Sequence, residues 1–240
     1  PFACPDCAAP VILKAGAVVV RHFAHRPDPL SVCGWGVGET MGHLTAKAAF
    51  VDGFRARGWQ AEPEYRLPEL GRRADVLLTA PSRNQYAVEV QHSTISPTEV
   101  YERTMSYLGA GIVPLWVALV PPGWTKDENA WAGSISGDYS APAWQRWIHG
   151  FTFVQLQIFD PEKRLLWDGR LTPVRLSYFR TAKRRRYLTL KNPRPLDQVG
   201  INRRERAARV TRYNTWPAGS FATFTKLPAP ARPVVAASLA

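Results

Sequence analysis

The chain predicts an α/β domain on a mixed sheet, in the order helix, strands, helix, strand, with a small cysteine- and histidine-bearing module ahead of it. Three stretches carry that expectation. Residues 38–57 space apolar side chains as a helix does, Arg73–Ala80 and Tyr86–Ser93 are β-rich segments flanking a turn, and Ser96–Val120 reads as a capped helix followed by a nearly continuous apolar run. Such a run suits a strand covered on both faces, and a strand-helix-strand crossover implies parallel pairing.

The first helix is expected over Gly38–Arg57. At about 100° per residue, Glu39, His43, Lys47, Phe50 and Phe54 fall within roughly 80° of one another. The two Phe should face the sheet, so the three polar residues on the same stripe also point inward, where buried polar groups need partners. A solvated i,i+4 ladder is the competing reading; the Phe residues on the same line argue against it.

Arg73-Ala-Asp-Val-Leu-Leu-Thr-Ala80 reads as a strand, bounded by the turn formers Pro81–Gln85. Tyr86–Ser93 alternates Ala87, Glu89 and Gln91 on one side with Val88 and Val90 on the other. Asp75 on one strand and Glu89 on its hairpin partner can both present oxygen to a hard cation, Mg²⁺ or Mn²⁺, with Gln91 placed to orient water. The bland alternative is a turn-capping Asp and a solvated Glu. Downstream, Ser96, Pro97 and Glu99 form a capping-box start. That helix carries Arg103 and Tyr107, ends near Gly109-Ala-Gly111, and leads into the strand Ile112–Val120.

The amino-terminal segment, residues 1–36, contains Cys4, Cys7, His22, His25 and Cys33. Three Cys and one His supply the four ligands of a structural Zn²⁺ site. Val11–Val20 reads as a hairpin turning near Gly16, which would bring the ligand pairs together. His25 is preferred because it is nearer Cys33, with His22 as the alternative and free core cysteines as the metal-free reading. All three cysteines sit here, which argues against a secreted disulfide framework and for a reducing, cytoplasmic setting.

Phe2-Ala-Cys-Pro-Asp-Cys7, His22-Phe-Ala-His25, Glu39-x3-His43-x3-Lys47, Arg73-Ala-Asp75, Glu89-Val-Gln91 and Arg103-x3-Tyr107, in that order, resemble the competence protein CoiA-like family over about residues 2–120. The family's central domain is similar to the PD-(D/E)xK superfamily. The resemblance therefore implies a restriction-endonuclease-like core over 37–170, a zinc-ribbon-like module over 1–36 and a Mg²⁺-dependent DNA nuclease. Such a protein would act in DNA processing, recombination or conflict with phage and mobile elements. Position by position, Asp75 and Glu89 match the metal-binding acids, Glu39 matches the acid often supplied by the first helix, and Gln91 stands where the superfamily usually has Lys. Ala74 replaces the usual Pro at little cost. Gln91 carries no charge and no proton, so Lys47 is expected to offset phosphate charge in its place, with His43 as a second candidate for proton shuttling or phosphate contact.

The net charge is +12, unevenly placed. Residues 170–240 hold 16 Lys and Arg against two acids, Asp197 and Glu205, a surplus of 14. Lys183, Arg184, Arg185 and Arg186, then Arg203, Arg204 and Arg206, are interleaved with aromatics, a composition suited to a phosphate backbone with stacked bases. With Arg73, Arg103 and Tyr107 they form the expected nucleic-acid-binding set, on a basic extension over 171–240 whose end, 217–240, is expected to be poorly ordered. Phe151–Phe159 alternates as a strand, and Arg164–Arg170 suggests the other arm of a hairpin. The Trp-rich stretch 124–147 has no readable motif.

No apolar run approaches the ~20 residues of a membrane span, nothing resembles a signal peptide, and the start at Pro1 suggests a segment upstream. DNA, single- or double-stranded, is the expected partner, with no small-molecule cofactor and with a homodimer left open. The rival class is a nuclease fold that has lost cleavage and persists as a zinc-stabilised DNA clamp. Gln91 favours the clamp; the collected acids favour the enzyme, because a clamp has no need of carboxylates beside a polyanion. An RNA-directed nuclease is a third reading.

Overall fold

The computed structural model describes residues 2–4, 7–16, 21–26, 33, 39–121, 124, 134–152, 155–173 and 186–200. A three-stranded antiparallel sheet comes first: β1 (Phe2–Ala3), β2 (Pro10–Lys14) and β3 (His22–His25), with Val11 opposite both Phe2 and His25. The remaining strands form one eight-stranded mixed sheet, entered through helix α1 (Met41–Arg55). Thr40 caps that helix by accepting from the His43 backbone N–H, as N-cap hydroxyls do.

The sheet begins with β4 (Gln60–Leu67), β5 (Arg72–Thr79) and β6 (Gln85–Gln91), each antiparallel to the next. Helix α2 (Pro97–Gly109) then crosses over to β7 (Val113–Leu119), which runs parallel to β6. Ser96 caps α2 through the Glu99 N–H, and the expected order of helix, strands, helix, strand is present. In this half of the sheet β4 was not anticipated; it is an additional edge strand.

Beyond β7 come β8 (Ser134–Tyr139), helix α3 (Ala143–Phe151), β9 (Leu156–Asp160), β10 (Leu165–Pro173) and β11 (Arg186–Pro195). The spatial order is β4-β5-β6-β7-β9-β10-β11-β8. The β9–β10 hairpin turns where expected, because Asp160 Oδ1 accepts from the N–H groups of Glu162 and Lys163 at 2.9 and 3.1 Å. Its first arm is shorter than the alternation suggested, since Phe151 closes α3.

The expected division at residue 170 is corrected by the structure. β10 runs through it, β11 is an interior strand of the sheet, and the turn Leu196–Gln198 packs on α1. A side chain at Gly53 of α1 would meet Leu196 at 2.6 Å, and Arg57 donates to the Val199 carbonyl. Residues 186–200 therefore belong to the core. Arg186 opens β11, whereas Lys183, Arg184, Arg185, Arg203, Arg204, Arg206 and the stretch 217–240 lie outside the described residues.

Helix α1 covers one face of the sheet through Ala46, Phe50 and Phe54 against Val76, Val88 and Val117. Helices α2 and α3 cover the other, where Trp144, Trp147 and Ile148 pack on Trp116, Ile158 and Leu188. The Trp-rich segment thus supplies core, and Trp116 on β7 donates to Thr104 at 2.9 Å. Among the described residues no helix is long and apolar enough to cross a membrane.

Candidate active site

The antiparallel ladder between β5 and β6 runs from Thr79 and Gln85 to Val76 and Val88, and stops there. One step further, in the same register, stand Asp75 and Glu89. The ladder on the other side of β5 also skips this position, pairing Pro63 with Val76 and Tyr65 with Ala74 but not Glu64 with Asp75. Freed backbone groups need other partners. The Val90 N–H donates to Asp75 Oδ2 at 2.7 Å, so the carboxylate itself closes the gap.

The inward stripe of α1 meets this gap. His43 and Lys47 are 6% and 5% exposed. His43 Nε2 lies 3.3 Å from Asp75 Oδ2, and its ring centroid lies 4.9 Å from that of His92, just past the end of β6, with the planes tilted by 35°. His43 Nδ1 is buried without a hydrogen-bond partner, 3.6 Å from Glu39. Lys47 donates to both Glu39 and Glu64, and Glu64 Oε2 lies 3.0 Å from Arg73 Nε. Burial alone would pull the ammonium down, yet the Glu64 charge and the bonds to Glu39 and Glu64 hold Lys47 above the ordinary lysine range. Lys47 is therefore a fixed cation rather than a ready proton donor.

Glu89 is enclosed by α2. Arg103 Nη1 lies 2.9 Å from Oε2, and the Tyr107 hydroxyl donates to Oε1. Burial, then the nearby Asp75 charge, pushes Glu89 from its ordinary 4.5 up to about 7, against the pull of Arg103. Asp75 moves the other way: despite burial, the bond to His43 and the charges of His43 and Lys47 hold it below the usual carboxylate range. Two carboxylates whose surroundings push their titrations apart are a hallmark of sites that move or hold charge.

Two expectations change. Tyr107 has no exposure and its hydroxyl donates to Glu89, so it holds that carboxylate; Arg103, with 31% of its side chain exposed, pairs with Glu89 and, at 3.3 Å, with Glu99. Gln91 donates to the Ser93 carbonyl and hydroxyl at 2.9 and 3.1 Å, outside the acid pair. Sequence reasoning missed Glu64 and His92. Glu64 lies on the unanticipated strand, and a lone His beyond Gln91 gave no periodic signal.

The residues fit a hard cation at Asp75 in one respect. Both of the hydrogen bonds to Asp75 fall on Oδ2, which leaves Oδ1 open among the described residues. Mg²⁺ binds through as few as one or two carboxylates and keeps its waters, and a dication would relieve the repulsion that raises Glu89. Glu39, Asp75 and Glu89 do not converge as a closed ligand set, however. Cys4, Cys7, His25 and Cys33 do: their ligand atoms all lie within 4.8 Å of one another, a group that could hold a metal ion. Cys4 Sγ is 3.9 Å from Cys33 Sγ, and Cys7 Sγ is 3.3 Å from His25 Nε2. Tetrahedral zinc with Zn–S near 2.3 Å and Zn–N near 2.0 Å requires about 3.8 and 3.5 Å for these edges. His22, paired with Lys14 on the last rung toward the hairpin turn, is not in the group.

Comparison with known proteins agrees with the motif order. Residues 39–129 match the family described as competence protein CoiA, nuclease-like domain, and residues 1–34 match competence protein CoiA, N-terminal domain. The chain is 26% identical over 164 residues to the competence protein CoiA of Bacillus subtilis (strain 168), an overlap of 68% of this chain. It spans about two fifths of that relative's length, 41%. No solved structure matches. The chain belongs to the CoiA-like family, with a nuclease-like domain over its central residues.

Proposed function

We propose that this protein is a metal-dependent DNA nuclease whose site is the gap in the sheet at Asp75 and Glu89. The observation that carries the reading is the acid pair itself: two strands stop pairing where two acidic residues stand opposite each other in register, one held below and one raised above its ordinary titration. A purely structural strand gains nothing from burying like charges. Asp75 would supply oxygen to Mg²⁺ or Mn²⁺ with Glu89, and Glu39 supports Lys47. The bound ion would polarise the scissile phosphate and lower the pKa of an attacking water. Lys47 brings a fixed positive charge to the developing phosphate charge, and His43 orients Asp75 through Nε2. Arg103 and Tyr107 hold Glu89 in place. The PD-(D/E)xK reading is supported by the order α1, β4–β6, α2, β7 and by the parallel β6–β7 pair.

Zinc on Cys4, Cys7, His25 and Cys33 is the structural ion of this reading, because a closed set of four soft ligands leaves no position for substrate. The relative's name supports a role connected with competence, and processing of DNA in that setting is the role proposed here. The test is cleavage of labelled single- and double-stranded DNA with Mg²⁺, Mn²⁺ or EDTA. Cleavage that appears with Mg²⁺ and disappears in Asp75→Ala is expected; cleavage that survives both EDTA and Asp75→Ala would place the chemistry elsewhere. Binding without cleavage in every metal would favour the clamp, for which the displacement of Gln91 toward Ser93 speaks.

The basic tail is tested separately. Because β11 belongs to the sheet, the deletion must begin at residue 201 and not in the cluster at Lys183. Removing 201–240 is expected to leave the core folded and to flatten the salt dependence of DNA binding, by roughly 0.9 log units of slope for each phosphate that the tail neutralises. An unchanged slope would show that Arg203, Arg204 and Arg206 do not touch DNA.

A further inference from the structure

We propose that Glu64, on the edge strand β4, is a positioning residue that holds the Lys47 ammonium and the Arg73 guanidinium side by side next to Asp75, so that both face the phosphate. The proposal rests on the nuclease reading above. Each oxygen of this carboxylate serves one cation: Oε1 accepts from Lys47 of α1, and Oε2 lies 3.0 Å from Arg73 Nε on β5. Glu39 also binds Lys47, but from two turns away on the same line of side chains and only through Oε1. Glu64 is the carboxylate that connects the helix cation to the strand cation.

The backbone points the same way by an independent route. Glu64 has φ +54°, in the left-handed region, although it sits between Pro63 and Tyr65, both regularly paired with β5. Non-glycine residues adopt that conformation at a cost, and it persists where surroundings impose it. An extended Glu64 would keep its rung with Asp75 and could turn its carboxylate to solvent on this outermost strand. Here the rung is given up, and the carboxylate is only 19% exposed against a Lys47 side chain at 6%. Exposed ion pairs contribute little, so surface stabilisation does not account for a turned backbone at the one residue opposite Asp75.

Glu39 and Glu64 together balance Lys47 and Arg73, and Glu64, which touches both cations, sets where the two stand beside Asp75. A DNA phosphate entering there would meet two positive charges whose separation Glu64 has already fixed. Because displacements of about 1 Å can cost on the order of 10²-fold in rate, the fixed spacing acts on turnover more than on binding.

The experiment uses the full chain, Mg²⁺ and labelled DNA. Glu64→Gln keeps the shape and removes the charge; it is expected to lower kcat on the order of 10²-fold with KM and the Mg²⁺ dependence essentially unchanged. In a Lys47→Met background the same substitution should bring no further loss, because Glu64 acts through Lys47. Losses that multiply in that background, or a Glu64→Gln rate equal to or above wild type, overturn the proposal. Glu64→Asn, a residue type that tolerates the left-handed backbone, repeats the measurement. If circular dichroism finds both variants unfolded, Glu64 is a structural ion-pair residue and the proposal fails. A cleaving wild type with an indifferent Glu64→Gln overturns this assignment alone; a wild type inert with Mg²⁺ overturns the nuclease reading and this assignment with it.

Discussion

Two clusters in this chain gather groups that attract metals, and they do so in opposite ways. In the amino-terminal sheet, Cys4, Cys7, His25 and Cys33 converge on one point and touch chiefly one another. At the gap beside Asp75, the carboxylates diverge: Glu39 and Glu64 are held by Lys47, and Glu89 by Arg103 and Tyr107. The first arrangement would gain a large free energy from a soft ion. The second is balanced by its own cations, folds without an ion, and keeps one oxygen of Asp75 open. On the proposed reading, the convergent ligands would hold a resident structural metal and the counter-charged acids an ion that arrives with a polyanion.

The largest expected effect therefore lies in the smaller sheet. Structural zinc in peptides contributes roughly 10–16 kcal/mol of apparent binding free energy, so Cys4→Ser should remove the bound zinc and unfold the three-stranded sheet. The core, with its own two packed faces, should keep its melting transition. Elemental analysis with thermal melts checks this. Protein prepared without chelator that carries no zinc, or a core transition that collapses with the ligand, would break the contrast.

Next comes Asp75→Ala. Its loss should reduce Mg²⁺-dependent cleavage by at least about 10³-fold, since the oxygen that binds the ion is gone. DNA binding should hold or tighten, because a negative charge near phosphate is removed. Zinc content should not change. Parallel cleavage, binding and elemental measurements on one preparation separate the two clusters; a loss of zinc in Asp75→Ala would mean they are not independent.

Much of this contrast was legible in the sequence. The inward stripe of α1 could be read because Phe50 and Phe54 fix which way Lys47 and His43 point, and the cysteine spacing made the metal group legible to within the choice of His25 over His22. Strand β4 was not legible: Gln60-Ala-Glu-Pro-Glu-Tyr-Arg-Leu67 is an outermost strand with only Ala61 and Leu67 buried, so it has little apolar alternation, and Pro63 argues against a strand. With β4 went Glu64. The stripe Trp144, Trp147, Ile148 was a helical signal left unread among other tryptophans. β11 was hidden by charge, since Leu188 and Leu190 alternate within a segment whose composition reads as a basic tail. Arg103 and Tyr107 drew notice as a pair, but their partner Glu89 lies 14 and 18 residues away and is chosen by packing, which periodicity does not encode.

The smallest expected effect is in the pH dependence of stability, and it concerns Glu89. Its titration is raised in the folded state from 4.5 to about 7 by burial and by Asp75. A raised carboxyl binds its proton more tightly in the native protein than in the unfolded chain, so its contribution is complete below about pH 4.5 and is lost as the pH rises through 7. The magnitude is about 3 kcal/mol at 1.36 kcal/mol per unit, with the opposing pull of Arg103 already contained in it. Without divalent metal, wild type should lose stability between about pH 4.5 and 7.5, and Glu89→Gln, always neutral, should lose less across that window. Adding Mg²⁺ should restore wild type near the upper end of the window and leave Glu89→Gln nearly unmoved, because only the ionised carboxylate gains from a nearby dication. Thermal melts of both proteins across the window, with and without Mg²⁺, read all four arms. Equal slopes for the two proteins would mean that Arg103 and Tyr107 keep Glu89 ionised throughout, making it an ordinary buried ion pair and leaving Asp75 as the carboxylate that faces the metal.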